Sequence, residues 1–266
     1  MENKNMLFTA QNIYASYGEK EVLRGLTFSL PVHSLTGLIG ANGSGKTTLL
    51  RCITNRMQHK GACCLKNERL EGLSERQIAG RISYIPQKSG IRISILVIDV
   101  VLMGYNPVLK LFGRPSKKQV EKAKEALREV GMESYMNTDY LTLSEGQKQL
   151  VILARTMIEE SSLLLLDEPD SALDVQNRYH IMKRIKTLVA SGEKAGLISL
   201  HDPVLALEFC DQLLLLKEGK CVQILQPAVD PVEKMEKAFR QIYGNVSLAA
   251  YKDRKEKQRL AFVWED

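Results

Sequence analysis

Gly40, Gly43 and Gly45 stand just ahead of Lys46 and Thr47 in GANGSGKT, residues 40–47. Glycines at this spacing let the backbone curl until successive N–H groups face one anion. A helix starting at Lys46 would add the positive end of its dipole. Lys46 brings a full charge for outer phosphates, and the Thr47 hydroxyl can ligate Mg²⁺. Far along the chain, SLLLLDEP ends an apolar run in Asp167 and Glu168. Asp167 is placed to hold Mg²⁺ through water and Glu168 to polarise an attacking water. A phosphate loop and two acids leave kinases, GTPases, helicases and transport ATPases all open.

Other positions bear on the same chemistry. Ser144 and Gly146 precede the helical pattern QKQLVILARTM, so a hydroxyl, backbone N–H groups and a helix N-terminus converge on a second anion. His201 follows directly on the apolar run GLISL, where the functional ends of parallel strands gather. Taken alone, Tyr17 reads as strand packing and Gln87 as a surface glutamine.

The elements that must hold these groups can be read from apolar periodicity. LFTAQNIYASYG, EVLRGLTFSL and LTGLIG, within residues 7–40, are rich in β-formers and punctuated by Gly18 and Pro31, and predict strands. KTTLLRCITN from Lys46 predicts a helix and RISYIPQ a further strand. Residues 94–160 turn mostly helical, broken at Pro107 and Pro115, as an inserted helical subdomain would be. SLLLLDEP, GLISLH and QLLLLKEG are short, uniformly apolar strands of the kind buried on both faces of a parallel sheet, with a helix over residues 176–190 between the first two. This alternation predicts an α/β fold with a mainly parallel sheet. The last forty residues lose the pattern.

Composition bounds the rest. At 266 residues the chain is long enough for one large α/β domain, and 44% hydrophobic with 26% charged residues is ordinary globular usage. The net charge of +6 would suit an anionic partner, but the basic residues are interleaved with acids, as in KKQVEKAKEALRE at residues 117–129. No basic cluster is interleaved with aromatics, so nucleic acid is not an expected partner. Five cysteines, with no CxxC pair, suggest neither a disulfide framework nor a zinc site and read as buried thiols in a reducing compartment. The N-terminus lacks a secretory pattern. The longest apolar run, residues 93–103, is interrupted by Asp99 and falls short of the about 20 residues that span a bilayer.

Taken in order, these motifs resemble an ABC transporter nucleotide-binding subunit over residues 8–225. The resemblance implies a P-loop NTPase core at residues 1–225, with an N-terminal antiparallel β subdomain, a helical subdomain at about residues 88–160 and a C-terminal extension at residues 226–266. It implies ATP and Mg²⁺ as cofactors, with ATP held by Gly40, Asn42, Gly43, Ser44, Gly45, Lys46, Thr47 and Thr48. Tyr17 in ASYG resembles the aromatic that stacks on adenine, and Gln87 in IPQ the glutamine that senses Mg²⁺ and the membrane domain. LSEGQ, residues 143–147, resembles the family signature, in which Ser144, Gly146 and Gln147 face the ATP of a partner subunit. SALD, residues 171–174, resembles the loop at the dimer interface, and His201 the histidine at the γ-phosphate. Catalysis would then rest on Lys46, Gln87, Glu168 and His201, and the metal on Thr47, Gln87 and Asp167. Two anion-binding devices in one chain make sense in a homodimer that sandwiches two ATPs.

Two positions depart from the family pattern: Glu145 stands where glycine is usual and Asp170 where threonine is common. Glu145 is expected to point outward. Residues 99–119, DVVLMGYNPVLKLFGRPSKKQ, resemble the coupling region of importers of iron–siderophore, haem and vitamin B12. Gly104, Pro107, Leu111, Phe112, Gly113 and Pro115 fit that pattern, while Tyr105 and Val108 replace its arginine and histidine. The resemblance implies a groove here for a helix of the membrane permease, a substrate-binding protein acting indirectly, and a place on the cytoplasmic face of a prokaryotic membrane. Zinc or manganese import is the nearest rival. A soluble ABC ATPase of the DNA-repair or chromosome type would need long coiled coils between the phosphate loop and the signature, where only about a hundred residues lie.

Overall fold

The computed structural model describes residues 6–87, 89–109, 113–256 and 258–265. Strands β1 (Met6–Tyr17) and β2 (Lys20–Pro31) pair antiparallel and lead into β3 (Leu35–Ile39) and helix α1 (Lys46–Ile53). Strand β4 (Lys60–Leu65) adds to the free edge of β1, and the two-residue β5 (Glu68–Arg69) closes a sheet of order β2-β1-β4-β5. After α2 (Glu75–Ala79) and β6 (Ile82–Ile85) come α3 (Val97–Leu102), α4 (Lys117–Glu129) and α5 (Glu145–Ile158). The chain then alternates β7 (Leu163–Asp167), α6 (Val175–Ala190), β8 (Ala195–Leu200), α7 (Pro203–Phe209), β9 (Gln212–Lys217) and β10 (Lys220–Leu225). Helix α8 (Val232–Tyr243) and the hairpin of β11 (Val246–Lys252) and β12 (Gln258–Trp264) follow.

The central sheet has the order β10-β9-β3-β8-β7-β6, parallel except for the antiparallel edge pair β9–β10. Its all-apolar strands are explained by two separate cores, one on each face. Along β7, Leu164 and Leu166 join the core that contains α3 to α8, whereas Leu163 and Leu165 join the one under the antiparallel sheet and α1. Strand β9 alternates likewise, with Leu213 and Leu215 on the helical side and Leu214 and Leu216 on the other. Each such leucine contributes roughly 1.5–3 kcal/mol of burial, and an exposed face would forfeit half of them. The expected α/β class with a mainly parallel sheet is therefore the observed one.

Helix starts follow local chemistry. Ser116 and Ser144 each cap a helix by accepting the N–H of Gln119 and Gln147 respectively, and those glutamines accept back from the cap's own N–H. The closing residues, which carried no legible period, form α8 and the β11–β12 hairpin. Phe239, Tyr243, Phe262 and Trp264 make a run of edge-to-face contacts, and Phe239 is fully buried in the helical-side core. Of the cysteines, Cys52, Cys63 and Cys210 are buried as expected, while Cys64 and Cys221 are only half-buried.

Candidate functional site

The phosphate loop springs from the C-terminal end of β3, and its shape depends on two glycines. A Cβ at Gly40 would stand 2.3 Å from the Leu216 carbonyl of β9, so no other residue fits there. Gly45, at φ 109°, caps α1 in the left-handed region, and a Cβ would press on Leu23. The turn after β9 closes the back of the loop, with the Gly219 N–H donating to the Ser44 carbonyl. The N–H groups of the first turn of α1 have no carbonyl one turn earlier to bond to, and they face outward as an anion cradle.

Lys46 is buried, and its ammonium donates to the Gly40 carbonyl at 2.8 Å and to that of Ala41 at 3.4 Å. Burial lowers its pKa, and the charges of Glu168 and Asp167 oppose that shift. A buried cation resting on its own loop is what an arriving phosphate would recruit. Thr47 donates to Asp167 Oδ1 at 3.2 Å, which joins the loop to the end of β7. Thr48 and Ser44 are buried beneath the loop, and Asn42 and Gly43 lie at its exposed tip. The Ser44 hydroxyl is buried without a hydrogen-bond partner.

Glu168 is the centre of a second set of contacts. His201 Nε2 lies 2.5 Å from its Oε1, and Gln87 Nε2 donates to its Oε2 at 2.6 Å. Its backbone sits at φ 49°, a costly conformation for a non-glycine residue of the kind that concentrates at functional sites. Its N–H donates to the Ser199 hydroxyl, which in turn donates to Asp167 Oδ1 at 2.8 Å. Ser199 went unread in the sequence. A lone hydroxyl in the apolar run GLISL was the available signal, since most buried polar groups are hydrogen-bonded. Tyr84 was missed as well: it donates to Asp167 Oδ2 at 3.4 Å, and its pKa is pushed up to about 12 by burial first and by Asp167 next.

Lys46, Thr47, Gln87, Asp167, Glu168 and His201 are thus brought together at the C-terminal edge of β3, β6, β7 and β8. Tyr17 sits at the end of β1, half-exposed, with its hydroxyl accepting from Arg51 of α1 at 3.3 Å. The signature residues stand apart. Ser144 is spent on capping α5, and among the described residues no hydrogen bond joins Ser144, Gly146 or Gln147 to the phosphate loop. Gly146 packs on residues 172–173 of its own chain, where a Cβ would approach the Ala172 carbonyl and Leu173 to 3.2 Å. Glu145 is 66% exposed and pairs with Lys148 at 2.8 Å. Asp170 is buried, and burial raises its pKa against its backbone hydrogen bond and the nearby charge of Arg178.

One expectation needs correcting. Gly104 does not line an open groove: it is buried against α5, where a Cβ would lie 2.8 Å from the Arg155 carbonyl, and Tyr105 beside it is buried too. Asn106 and Val108 just after it are exposed, as are Gly113 and Arg114 further along. Leu111 and Phe112 lie outside the described residues.

The arrangement can grip a polyphosphate, hold a cation through oxygens and position a carboxylate beside a bound water. Relatives agree with that chemistry. The family profile for ABC transporters matches residues 23–171. The probable iron chelatin transport ATP-binding protein of Helicobacter pylori is 33% identical over 94% of this chain and 98% of its own length. The hemin import ATP-binding protein of Pseudomonas putida is 32% identical over 93% and 97%. An ABC transporter assigned to the metal-chelate type, solved inward-facing, superposes with a TM-score of 0.81 at 22% identity, covering 97% of each chain. With a phosphate loop, paired acids and their supporting histidine and glutamine in one place, the chain belongs to the ABC transporter family, as an ATP-binding subunit whose reaction is ATP hydrolysis.

Proposed function

We propose that this subunit drives an importer of an iron chelate, haem or a corrinoid by ATP-dependent closure of a homodimer. The observation that carries the hydrolytic half is the short-range set around Glu168, with His201 and Gln87 on its two oxygens and Asp167 beside Thr47. In this reading Glu168 accepts the proton of the attacking water, and His201 and Gln87 keep its carboxylate oriented. Lys46 shifts from its loop carbonyls to the outer phosphates, and the first-turn N–H groups of α1 bind the inner ones. Tyr17 offers a face for the base. The oxygens of Thr47 and Asp167, with the Gln87 side chain behind, are hard donors that fit Mg²⁺. Mg²⁺ bound there would neutralise phosphate charge.

The separation of the signature from the phosphate loop within one chain supports the sandwich, since Ser144, Gly146 and Gln147 would then complete a partner's site. Among the described residues no helix is long and apolar enough to cross a membrane. The path is assigned to separate permease subunits, with this chain at the cytoplasmic face of a prokaryotic membrane and a binding protein acting on the far side. The cargo assignment rests on the resemblance of residues 99–119 and on relatives named for iron chelatin and hemin. Deleting the gene should abolish growth on at least one of an iron siderophore, haem or vitamin B12 as sole source. Normal growth on all three, with lost zinc or manganese uptake, would overturn the cargo and leave the ATPase reading standing.

A further inference from the structure

The loop that follows α1 and the β4–β5 hairpin bring together three metal-ligating side chains that take no part in the ATP site. His59, Cys63 and Glu71 each offer a ligand atom, and these atoms lie within 4.8 Å of one another. His59 Nε2 is 3.2 Å from Glu71 Oε1 and 3.9 Å from Cys63 Sγ. Donors bound to one zinc ion at about 2.0–2.3 Å stand roughly 3.3–3.6 Å apart, so little movement is needed to close a shell. The site is sheltered: Cys63 is fully buried, and the His59 and Glu71 side chains are only 4% and 25% exposed.

The hydrogen bonding around His59 points to a cation. Its Nδ1 faces the Met57 carbonyl at 3.3 Å and its Nε2 faces the Glu71 carboxylate, so both ring nitrogens look at acceptors. A neutral imidazole has one N–H and can satisfy only one of them. With Nδ1–H donated to Met57, the Nε2 lone pair faces a carboxylate oxygen at 3.2 Å, with the Cys63 thiol as a weak donor at 3.9 Å, and a metal ion between the three would relieve the facing lone pairs. A metal-bound histidine that gives its other N–H to a backbone carbonyl is the usual outer-shell pattern. The carboxylate is also held from behind. Glu71 Oε1 accepts the Cys63 N–H at 2.5 Å and Oε2 accepts from Arg69 at 3.3 Å. Asn55, at the end of α1, donates to the Leu70 carbonyl at 2.6 Å and fastens the loop to the hairpin.

We infer that His59 Nε2, Cys63 Sγ and Glu71 Oε1 form a site for one divalent transition-metal ion of the zinc class, with water completing the shell. A sulfur, nitrogen and oxygen donor set suits such an ion better than Mg²⁺ or Ca²⁺. On binding, the Cys63 S–H bond breaks, its proton goes to solvent and the thiolate takes the metal. The ion would tie the end of the phosphate-loop helix to the antiparallel sheet. The spacing H-x₃-C-x₇-E lacks a CxxC pair, and only the hairpin pairing of Leu70 with Cys63 folds Glu71 back onto the cysteine.

The test uses the full chain, stripped of metal by a chelator and free of nucleotide, titrated with Co²⁺ as a spectroscopic stand-in for Zn²⁺. One Co²⁺ per chain should give thiolate-to-cobalt charge-transfer absorption, displaced by Zn²⁺. Cys63→Ser should lose that absorption and Cys64→Ser should keep it. Glu71→Gln and His59→Gln should bind at least about tenfold more weakly. Zn²⁺ should raise the Tm of the wild type and of Cys64→Ser, and raise it less in Glu71→Gln and His59→Gln. Absence of the charge-transfer absorption in the wild type, or its survival in Cys63→Ser, overturns the site. An NMR spectrum of the metal-free wild type showing His59 as an imidazolium that Zn²⁺ leaves unchanged does the same, since the cluster is then an ion pair only. Should Cys63→Ser fail to fold, the two weaker-binding variants and the His59 resonance still decide the matter.

Discussion

Lys46 is buried beside two acids, and its ammonium is the cation that the phosphate loop itself holds. Lys46→Ala is expected to lower ATP hydrolysis by about a hundredfold or more, measured as phosphate release from the purified subunit. Turnover at the wild-type rate would refute its placement in the site. Glu145 lies at the other extreme. Because it is largely exposed and paired with Lys148, Glu145→Gly should change turnover by less than about tenfold, or about 1.4 kcal/mol in barrier. A hundredfold rise would mark the acid as a brake. Asp170 is buried with its pKa raised, so the ionised form is disfavoured in the folded state. Its contribution to stability is present below the ordinary carboxyl pKa of about 4 and is lost as pH rises through the raised folded value. Asp170→Asn should therefore raise the Tm by a few degrees at pH 7, and the gain should vanish in acid. Calorimetry showing a lower Tm at pH 7 would mean that the Arg178 interaction outweighs burial.

Among the elements, α3 and the short 3₁₀ turn after it (Met103–Tyr105) separate packing from presentation. Gly104 lets this turn lie directly on α5, whereas Val108, 57% exposed, is free to meet another subunit. If coupling to the permease passes through this segment, Val108→Glu should abolish transport while the isolated subunit keeps its basal ATPase within about threefold, or about 0.6 kcal/mol in barrier. Gly104→Arg should instead lower thermal stability, because a side chain there must displace backbone of α5. Undiminished uptake by Val108→Glu would move the coupling contact elsewhere. The breaks at Pro107 and Pro115 were legible in the sequence. The burial of Gly104 was not, since a glycine in a turn looks the same whether it faces solvent or a neighbouring helix.

Across the whole molecule, the phosphate loop and the N-terminus of α5 share no hydrogen bond among the described residues, which suits the proposed site completed by a second copy. Glu168→Gln should bind ATP without hydrolysing it, and size-exclusion chromatography with ATP should show a dimer; a monomer at every ATP concentration would count against the sandwich. By itself, the sequence determined the α/β class, the strand-loop-helix around Lys46, and the acids after β7. Those signals are local: a run of apolar residues long enough for a strand, ended by residues of one chemistry, needs no knowledge of its neighbours. Only the tertiary structure decided that Ser199 and Tyr84 support Asp167, that Asp170 is buried, that the unpatterned end forms α8 and an aromatic hairpin, and that His59, Cys63 and Glu71 converge. Each of these depends on which distant segments lie side by side, and sheet order and hairpin pairing set that proximity without leaving a period in the chain.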